Sequence, residues 1–340
     1  MSATSRDVAR LAAVSQATVS RVLAGHPGVQ TETRDRVLSA IRNLGYRPNA
    51  AARAMRTSRT GSIGVVTARL ANPLYPEMLQ VLSRELTRAG RHMVVWDTDD
   101  DRGGSAAVDA VRAGSIDGVI FTTATAETAQ LYGALTAEVP VALMNRVVPH
   151  WGCDQVESDN GAGGRAVGAY FAQADRRRIG LITGPLAPST IRNREDGFLS
   201  ALAEHGHGIA SGWLVRVGHF SHSTGFGAAT RLLELASPPD AIFCVNDVLA
   251  LGARDAARVR GIPVPEALWL VGYDDIEMAS WPAFDLTTVR QPLTEMAASA
   301  VRLLLGRIDG DSAGRERVLL PNALVVRGST ARQAHEAPSD

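Results

Sequence analysis

Residues 4–23 run TSRDVARLAAVSQATVSRVL, and their spacing decides how the start of the chain folds. Thr4 is placed to cap a helix, Asp7 three residues on to reach back to it, and Val8, Leu11 and Ala12 to share one face. Ala13-Val14-Ser15 makes a tight turn. Ser15 then caps a second helix, Gln16 to Leu23, whose Val19, Val22 and Leu23 face the first. Two short helices across a three-residue turn form a helix-turn-helix.

The outward positions of the second helix are Gln16, Ala17, Thr18, Ser20 and Arg21. These chemistries suit a DNA major groove: a guanidinium reads guanine, an amide reads adenine, and hydroxyls reach phosphates. A third helix over Thr31 to Leu44 places Val37, Leu38, Ile41 and Leu44 at helical spacing and closes a three-helix head, with Gly45 as its stop. The stretch 49–56 contains good helix formers without a broad apolar stripe. Alone it is marginal, and it is expected to fold only on DNA.

Charge divides the same way. The chain has equal numbers of acidic and basic residues, 35 each, and every basic one is arginine. Residues 1–60 hold ten arginines against three carboxylates, a net +7 that the remainder balances. A polyanion-binding head on an acidic body follows. The absence of lysine excludes a Walker A phosphate loop and every Schiff-base mechanism. Two cysteines, Cys153 and Cys244, argue against a disulfide framework. The N-terminus enters a charged amphipathic helix with no apolar signal region, and no segment has the roughly 20 apolar residues of a membrane span, so a cytoplasmic protein is expected.

From Ser62 on, β-branched runs alternate with helix-forming stretches. Ile63–Val66, His92–Trp96, Gly118–Phe121 and Val141–Met144 form one series, and Ile179–Thr183, Trp213–Val217, Ala241–Val245 and Leu268–Gly272 a second. Repeated β-α units predict two doubly wound parallel-sheet lobes. Ligands in such sheets bind beyond the carboxyl ends of the strands. There the sequence places Leu74 and Tyr75, Asn145-Arg146, residues 184–194, Asn246-Asp247 and Tyr273-Asp274-Asp275. This mixture of amide, carboxylate and guanidinium groups suits a ligand with many hydroxyls.

Asp7-Val8-Ala9, Val14-Ser15, Ala17-Thr18-Val19-Ser20-Arg21-Val22-Leu23, Thr33-Arg34, Leu44-Gly45-Tyr46, Pro48-Asn49 and Ala52-Arg53 resemble the lactose-repressor (LacI/GalR) family. In the body, Asn72-Pro73, Asp159-Asn160, Arg178-Ile179-Gly180, Asn246-Asp247, Val271-Gly272-Tyr273-Asp274-Asp275 and Leu286-Thr287-Thr288-Val289 extend the resemblance, and the body is similar to periplasmic sugar-binding proteins. The resemblance implies a helix-turn-helix domain over 1–47, a hinge helix and linker over 48–60, and an effector-binding and dimerisation domain over 61–330. Within the last, one lobe takes about 61–158 and 287–317, the other about 159–286 and 318–330, and 331–340 is expected to be a disordered tail.

By the same resemblance the DNA contacts are Thr4, Ser15, Gln16, Ala17, Thr18, Ser20, Arg21, Thr33, Asn49, Ala52, Arg53 and Met55. Gln16 and Ala17 set operator sequence, and Met55 takes the place of the apolar wedge, usually Leu, inserted in the minor groove. The effector set is Leu74, Tyr75, Asn145, Thr190, Arg194, Phe220, Asn246 and Asp274. Within the three-helix head, Ala13 stands where Gly is frequent in the family, Ala24 where Asn is common, and Gln30 where Ser usually caps the third helix. Asn145 replaces a frequent Asp.

The function expected is a repressor of carbohydrate-related genes, nucleoid-associated, controlled by a small molecule that is a sugar, with a purine or nucleoside as the alternative effector. A palindromic operator requires a homodimer, for which Met78, Leu79 and Leu82 are the interface candidates. The tail lacks the leucine heptad of a tetramer. A solute-binding protein would need export and no basic head. An enzyme would need a nucleophile elbow, metal ligands or a dinucleotide fingerprint, none of which is visible, and no cofactor is expected. His205, His207, His219 and His222 lack metal-site spacing, the acidic run Asp97 to Asp101 lacks the glycine and terminal Glu of a calcium loop, and Gly161, Gly163 and Gly164 read as close packing against a strand behind a capping Asp159.

Overall fold

The computed structural model describes residues 3–23, 25–46, 59–67, 69–97, 102–125, 127–136, 138–150, 152–174 and 176–330. The expected hinge contacts Asn49, Ala52, Arg53 and Met55, and the expected tail 331–340, lie outside the described residues. The chain divides into two compact units, residues 1–60 and 61–340.

In the first unit α1 spans Ser5–Leu11, α2 Gln16–Leu23 and α3 Thr31–Leu44. Thr4 and Asp7 form the reciprocal cap, with Asp7 Oδ2 accepting from the Thr4 N–H at 3.0 Å. The Ser15 Oγ accepts from the Thr18 N–H at 3.1 Å. Gln30 gives α3 no side-chain cap, and Gly45 ends it at φ 58°. The core is made of small residues: Val8, Ala9, Ala12, Val19, Val22, Val37 and Ala40. Leu11, Leu23, Leu38 and Leu44, expected to face inward, are 52, 39, 37 and 36% exposed. The helices meet through valine and alanine. Leu11, Leu23 and Leu38 sit one residue away, about 100° round the helix, and fall outside the contact.

The second unit contains two parallel sheets. The first has the strand order β11-β5-β4-β3-β1-β2, formed by β1 (Ser62–Thr67), β2 (His92–Asp97), β3 (Gly118–Phe121), β4 (Val141–Met144), β5 (Asp154–Ser158) and β11 (Arg317–Leu320). The second has the order β7-β6-β8-β9, from β6 (Ile179–Thr183), β7 (Leu214–Arg216), β8 (Ala241–Cys244) and β9 (Trp269–Val271). A short antiparallel pair, β10 (Thr288–Arg290) and β12 (Ala323–Val325), lies between. The central strands β3, β4, β6 and β8 are buried throughout, as parallel strands covered on both faces must be.

The covering helices of the first lobe include α4 (Leu74–Arg88), α5 (Arg102–Arg112), α6 (Ala129–Thr136) and α11 (Leu293–Ile308). Those of the second are α7 (Asn160–Gln173), α8 (Ser189–Glu204), α9 (His222–Leu233) and α10 (Asp247–Val259). The chain crosses between lobes at 158–160, 290–292 and 320–322. Because β11 pairs with β5 from Arg317↔Gln155 to Leu320↔Ser158, residues 318–320 belong to the first sheet and not to the second lobe as expected, while residues 287–290, expected in the first lobe, bridge to Val271 and Asp274 of the second.

Helices α7 and α8 pack backbone to backbone. A Cβ on Gly164 would lie 2.1 Å from the Arg194 carbonyl oxygen, and one on Gly197 2.1 Å from that of Gly161. The glycine run therefore lets a helix, not a strand, come close, while Asp159 caps α7 by accepting from the Ala162 N–H at 2.9 Å. Met78 and Leu82 are completely buried in the protomer's own core, so neither is an interface residue; only Leu79 is half-exposed. The α4 stripe faces its own sheet, and exposed apolar groups stand on both edges of that sheet, at Val94 and Val95 of β2 and Leu319 of β11.

Candidate nucleic-acid interface and ligand cleft

On α2, Gln16, Ala17 and Arg21 are exposed and Thr18 and Ser20 half-buried, while Val19 and Val22 seal the other face. The Gln16 Nε2 donates to Ser5 Oγ at 3.3 Å, which lays the amide against the start of α1; Ser5 was not singled out from sequence. Ser15 Oγ lies 2.9 Å from Thr18 Oγ1, so both hydroxyls are committed locally. Thr4 Oγ1 donates to Asp7 at 2.7 Å. Thr33 is half-buried in the first turn of α3, and Arg34 pins the preceding loop by donating to the His26 carbonyl at 2.9 Å. The head thus offers a narrow polar edge of one amide, one guanidinium and small groups.

In the body, the candidate effector residues stand at the carboxyl ends of both sheets. Arg194, from α8, is the hub. It ion-pairs with Asp274 at 2.9 Å, donates from Nε to Asn160 Oδ1 at 2.8 Å and from Nη1 to the Val245 carbonyl at 2.7 Å, and lies 3.7 Å over the Tyr273 ring. Both members of the pair are nearly fully buried. Asp274 also accepts from Gln291 Nε2 at 2.8 Å, and the Tyr273 hydroxyl accepts from Asn322 at 2.9 Å. Asn160, Gln291 and Asn322 belong one to each crossing between the lobes. The pair therefore touches two of the connections between the lobes itself and the third through Tyr273, a coupling that no local spacing announced.

Burial pushes the Asp274 carboxyl up, against the pull of Arg194. Asp247 is pushed well above its ordinary range by burial first and by the Asp274 charge second; it accepts from Thr288 Oγ1 at 2.6 Å and from the Ile276 N–H at 2.9 Å. Backbone strain collects in the same place. Asn145, Asp274 and Asp275 have φ of 79°, 118° and 56°. Such conformations cost energy unless the surroundings fix them, and they gather where ligands bind.

Across the cleft, Asn145 donates to the Thr122 carbonyl at 3.2 Å, but its Oδ1 is buried without a hydrogen-bond partner, as is Arg146 Nε. Arg146, outside the expected set, donates to the hydroxyl of buried Tyr75 at 3.1 Å. Leu74 is buried beside Tyr75 at the start of α4. Thr190 is buried in the first turn of α8, where its neighbour Ser189 accepts from the Val147 N–H of the other lobe at 3.0 Å. Phe220 is half-buried, with Arg69 at 6.0 Å over its ring, and Gly184 is bare where a Cβ would meet that ring at 2.3 Å. Asn246 spends its oxygen on the α10 cap, accepting from the Leu249 N–H at 3.0 Å, so any ligand contact falls to its NH2.

Among the described residues no group of three or more His, Cys, Asp or Glu is placed to hold a metal ion. His222 lies 2.9 Å from Asp255, and both cysteines are buried and free, with burial pushing the Cys153 thiol up to about 12. No described helix is long and apolar enough to cross a membrane.

Residues 4–49 match the model for bacterial regulatory proteins of the lacI family, and residues 169–330 that for a periplasmic binding protein-like domain. The HTH-type transcriptional regulator DegA of Bacillus subtilis (strain 168) is 32% identical over 336 residues, 97% of this chain and 99% of its own. The ribose operon repressor of Escherichia coli (strain K12) is 31% identical over 329 residues, 96% of this chain and 99% of its own. The lac repressor dimer bound to operator and the anti-inducer ONPF superposes with a TM-score of 0.83 at 27% identity, covering 97% of this chain and 99% of that one. The complex of the transcriptional regulator CelR with cellobiose gives 0.74 at 29%, covering 96% and 99%. Identity sustained over nearly the full length, with the helix-turn-helix and the two-lobed body both in place, means that the chain belongs to the lacI family of bacterial regulatory proteins.

Proposed function

We propose that this chain is a homodimeric, operator-binding transcription repressor of carbohydrate-related genes, cytoplasmic and not an enzyme, whose hold on DNA is set by a sugar bound between the lobes. The observation that carries the reading is the contact of the Arg194–Asp274 pair with Asn160, Gln291 and, through Tyr273, Asn322. A ligand that engages the pair acts on two crossings directly and on the third through Tyr273, and such a link is what coupling between a ligand site and a DNA head requires.

Gln16, Ala17 and Arg21 read base edges, with Thr18 and Ser20 on phosphates and Thr4, Ser15 and Thr33 supporting the placement; Asn49, Ala52, Arg53 and Met55 serve the minor groove. Leu74, Tyr75, Asn145, Thr190, Phe220 and Asn246 complete the effector cleft, and the unpartnered Asn145 Oδ1 and Arg146 Nε offer an acceptor and a donor to ligand hydroxyls. The relatives named as a ribose operon repressor and a cellobiose complex favour a sugar. The dimer is completed along the exposed β2 edge.

The test selects duplexes from a random pool with purified protein, then follows operator affinity by fluorescence anisotropy with and without sugars and purine nucleosides. Palindromic sites and a sugar-dependent affinity are expected. Failure to select any duplex at low salt overturns the regulator, and a response to nucleosides alone overturns the carbohydrate assignment.

A further inference from the structure

Asp274, the carboxylate of the effector cleft, sits on strained backbone: it and Asp275 hold φ of 118° and 56° in succession. Such residues persist only where their surroundings over-determine them. Here the surroundings converge on one side chain outside the expected site. The Asp247 N–H donates to the Tyr273 carbonyl at 2.8 Å, and the Ile276 N–H donates to Asp247 Oδ2 at 2.9 Å. A single residue thus grips the chain on both sides of the strained pair. Its other oxygen, Oδ1, accepts from Thr288 Oγ1 at 2.6 Å, on the strand β10 that runs into the second crossing.

The space left for this carboxylate is an independent observation. A Cβ on Gly272 would lie 2.1 Å from Asp247 Oδ1, so the chain is bare where Asp247 passes. Asp247 is completely buried and has no ion-pair partner among the described residues. It therefore serves as a fixed hydrogen-bonding bracket and not as a counter-charge. Val245 holds Arg194 through its carbonyl, and Asp247, two residues on, holds the loop that carries Asp274. One short stretch at the end of β8 sets both members of the ion pair.

We propose that Asp247 is a positioning residue of the effector site: touching no ligand itself, it fixes the direction of the Asp274 carboxylate and ties the loop beneath it to the second crossing. The inference rests on the reading of Asp274 as an effector contact. Without the bracket, residues 274 and 275 are free to relax towards ordinary φ, which swings the carboxylate away from Arg194. The Asp274 N–H donates to the Val289 carbonyl of β10 at 2.9 Å, so the loop and the crossing shift together.

Hydrogen exchange of the full-length protein, without ligand or DNA, tests the bracket. Asp247→Ala should speed exchange in peptides covering 273–276 by about tenfold or more, while those of β3 and β4 stay as in the wild type. The double variant D247A/T288V removes the hydroxyl together with its acceptor, which spares the fold where the single change does not, and should give the same local result. Asp247→Asn, whose oxygen can accept from Ile276 while its NH2 donates to Thr288, should restore wild-type exchange. Isothermal titration with D-ribose and with cellobiose should show binding about tenfold weaker in D247A/T288V and restored in D247N, as a misdirected carboxylate implies. Unchanged exchange at 273–276 in D247A/T288V, acceleration spread evenly over both lobes, or sugar binding equal to the wild type in that variant overturns the inference. A wild type that binds neither sugar counts against the sugar reading instead, and the exchange comparison alone then decides the role of Asp247.

Discussion

Ala13 sits in the turn between α1 and α2 at φ 49°, a left-handed conformation that costs an alanine about 1–2 kcal/mol. Glycine removes that strain but gives back part of it as chain entropy, so Ala13→Gly should stabilise the head by about 0.5–1 kcal/mol, read from urea unfolding followed by head resonances. Arg21→Ala should weaken operator binding by about 1–3 kcal/mol and relax preference at one base pair, measured by anisotropy at fixed salt. At Arg194 the two roles of a buried ion pair separate. Arg194→Met strands a buried carboxylate and should cost about 3–5 kcal/mol of body stability. The double variant R194M/D274N, whose asparagine tolerates the positive φ at that position, should recover much of that loss and still lose the ligand response. A double variant less stable than Arg194→Met alone contradicts this.

Among the elements, the α1 cap carries a pH signature. The hydrogen bonds from Thr4 hold the Asp7 carboxyl below its ordinary value, so its folded pKa is depressed. Its contribution is therefore present above the unfolded value of about 3.9 and is lost as pH falls through the lower folded value. Acid titration of the head resonances should show this, and Thr4→Ala, which removes the hydroxyl but keeps the backbone N–H and Arg10, should reduce it. The close α7–α8 contact predicts that Gly164→Ala destabilises the body by about 1–3 kcal/mol, because the added methyl meets a backbone carbonyl, visible as a lowered midpoint in thermal unfolding. The main strands and the caps were legible in sequence because runs such as Gly118–Phe121 and cap spacings such as Thr4–Asp7 are local. Strand β5 was not. Its Asp154 and Glu157 look like a loop, yet they are buried against Arg307 and Arg317, more than 150 residues on. The same distance hid Gln291 and Asn322 from the candidate site, whereas Arg194, Asn246 and Asp274 stood out at strand ends or through family spacing.

For the whole molecule, we propose that the protomers pair along the β2 edge of the first sheet. Val94 and Val95, 37 and 38% exposed on β2, leave an unpaired strand carrying apolar groups, a surface that invites another chain. Val95→Asp should raise the dimer dissociation constant at least about tenfold in sedimentation velocity, as a charge forced into an apolar contact implies, and reduce operator affinity with it. Wild-type dissociation behaviour in that variant moves the interface elsewhere. Finally, the contact between the Gly164 and Gly197 backbones and their opposite carbonyls leaves α7 and α8 no room to slide past each other. They form a stiff plate joined to the first lobe by the crossing at residues 158–160, and Arg194, itself on α8, ties the plate to the Val245 carbonyl and Asp274. A ligand that draws that guanidinium away therefore loosens a pair of locked helices at once and not a single side chain.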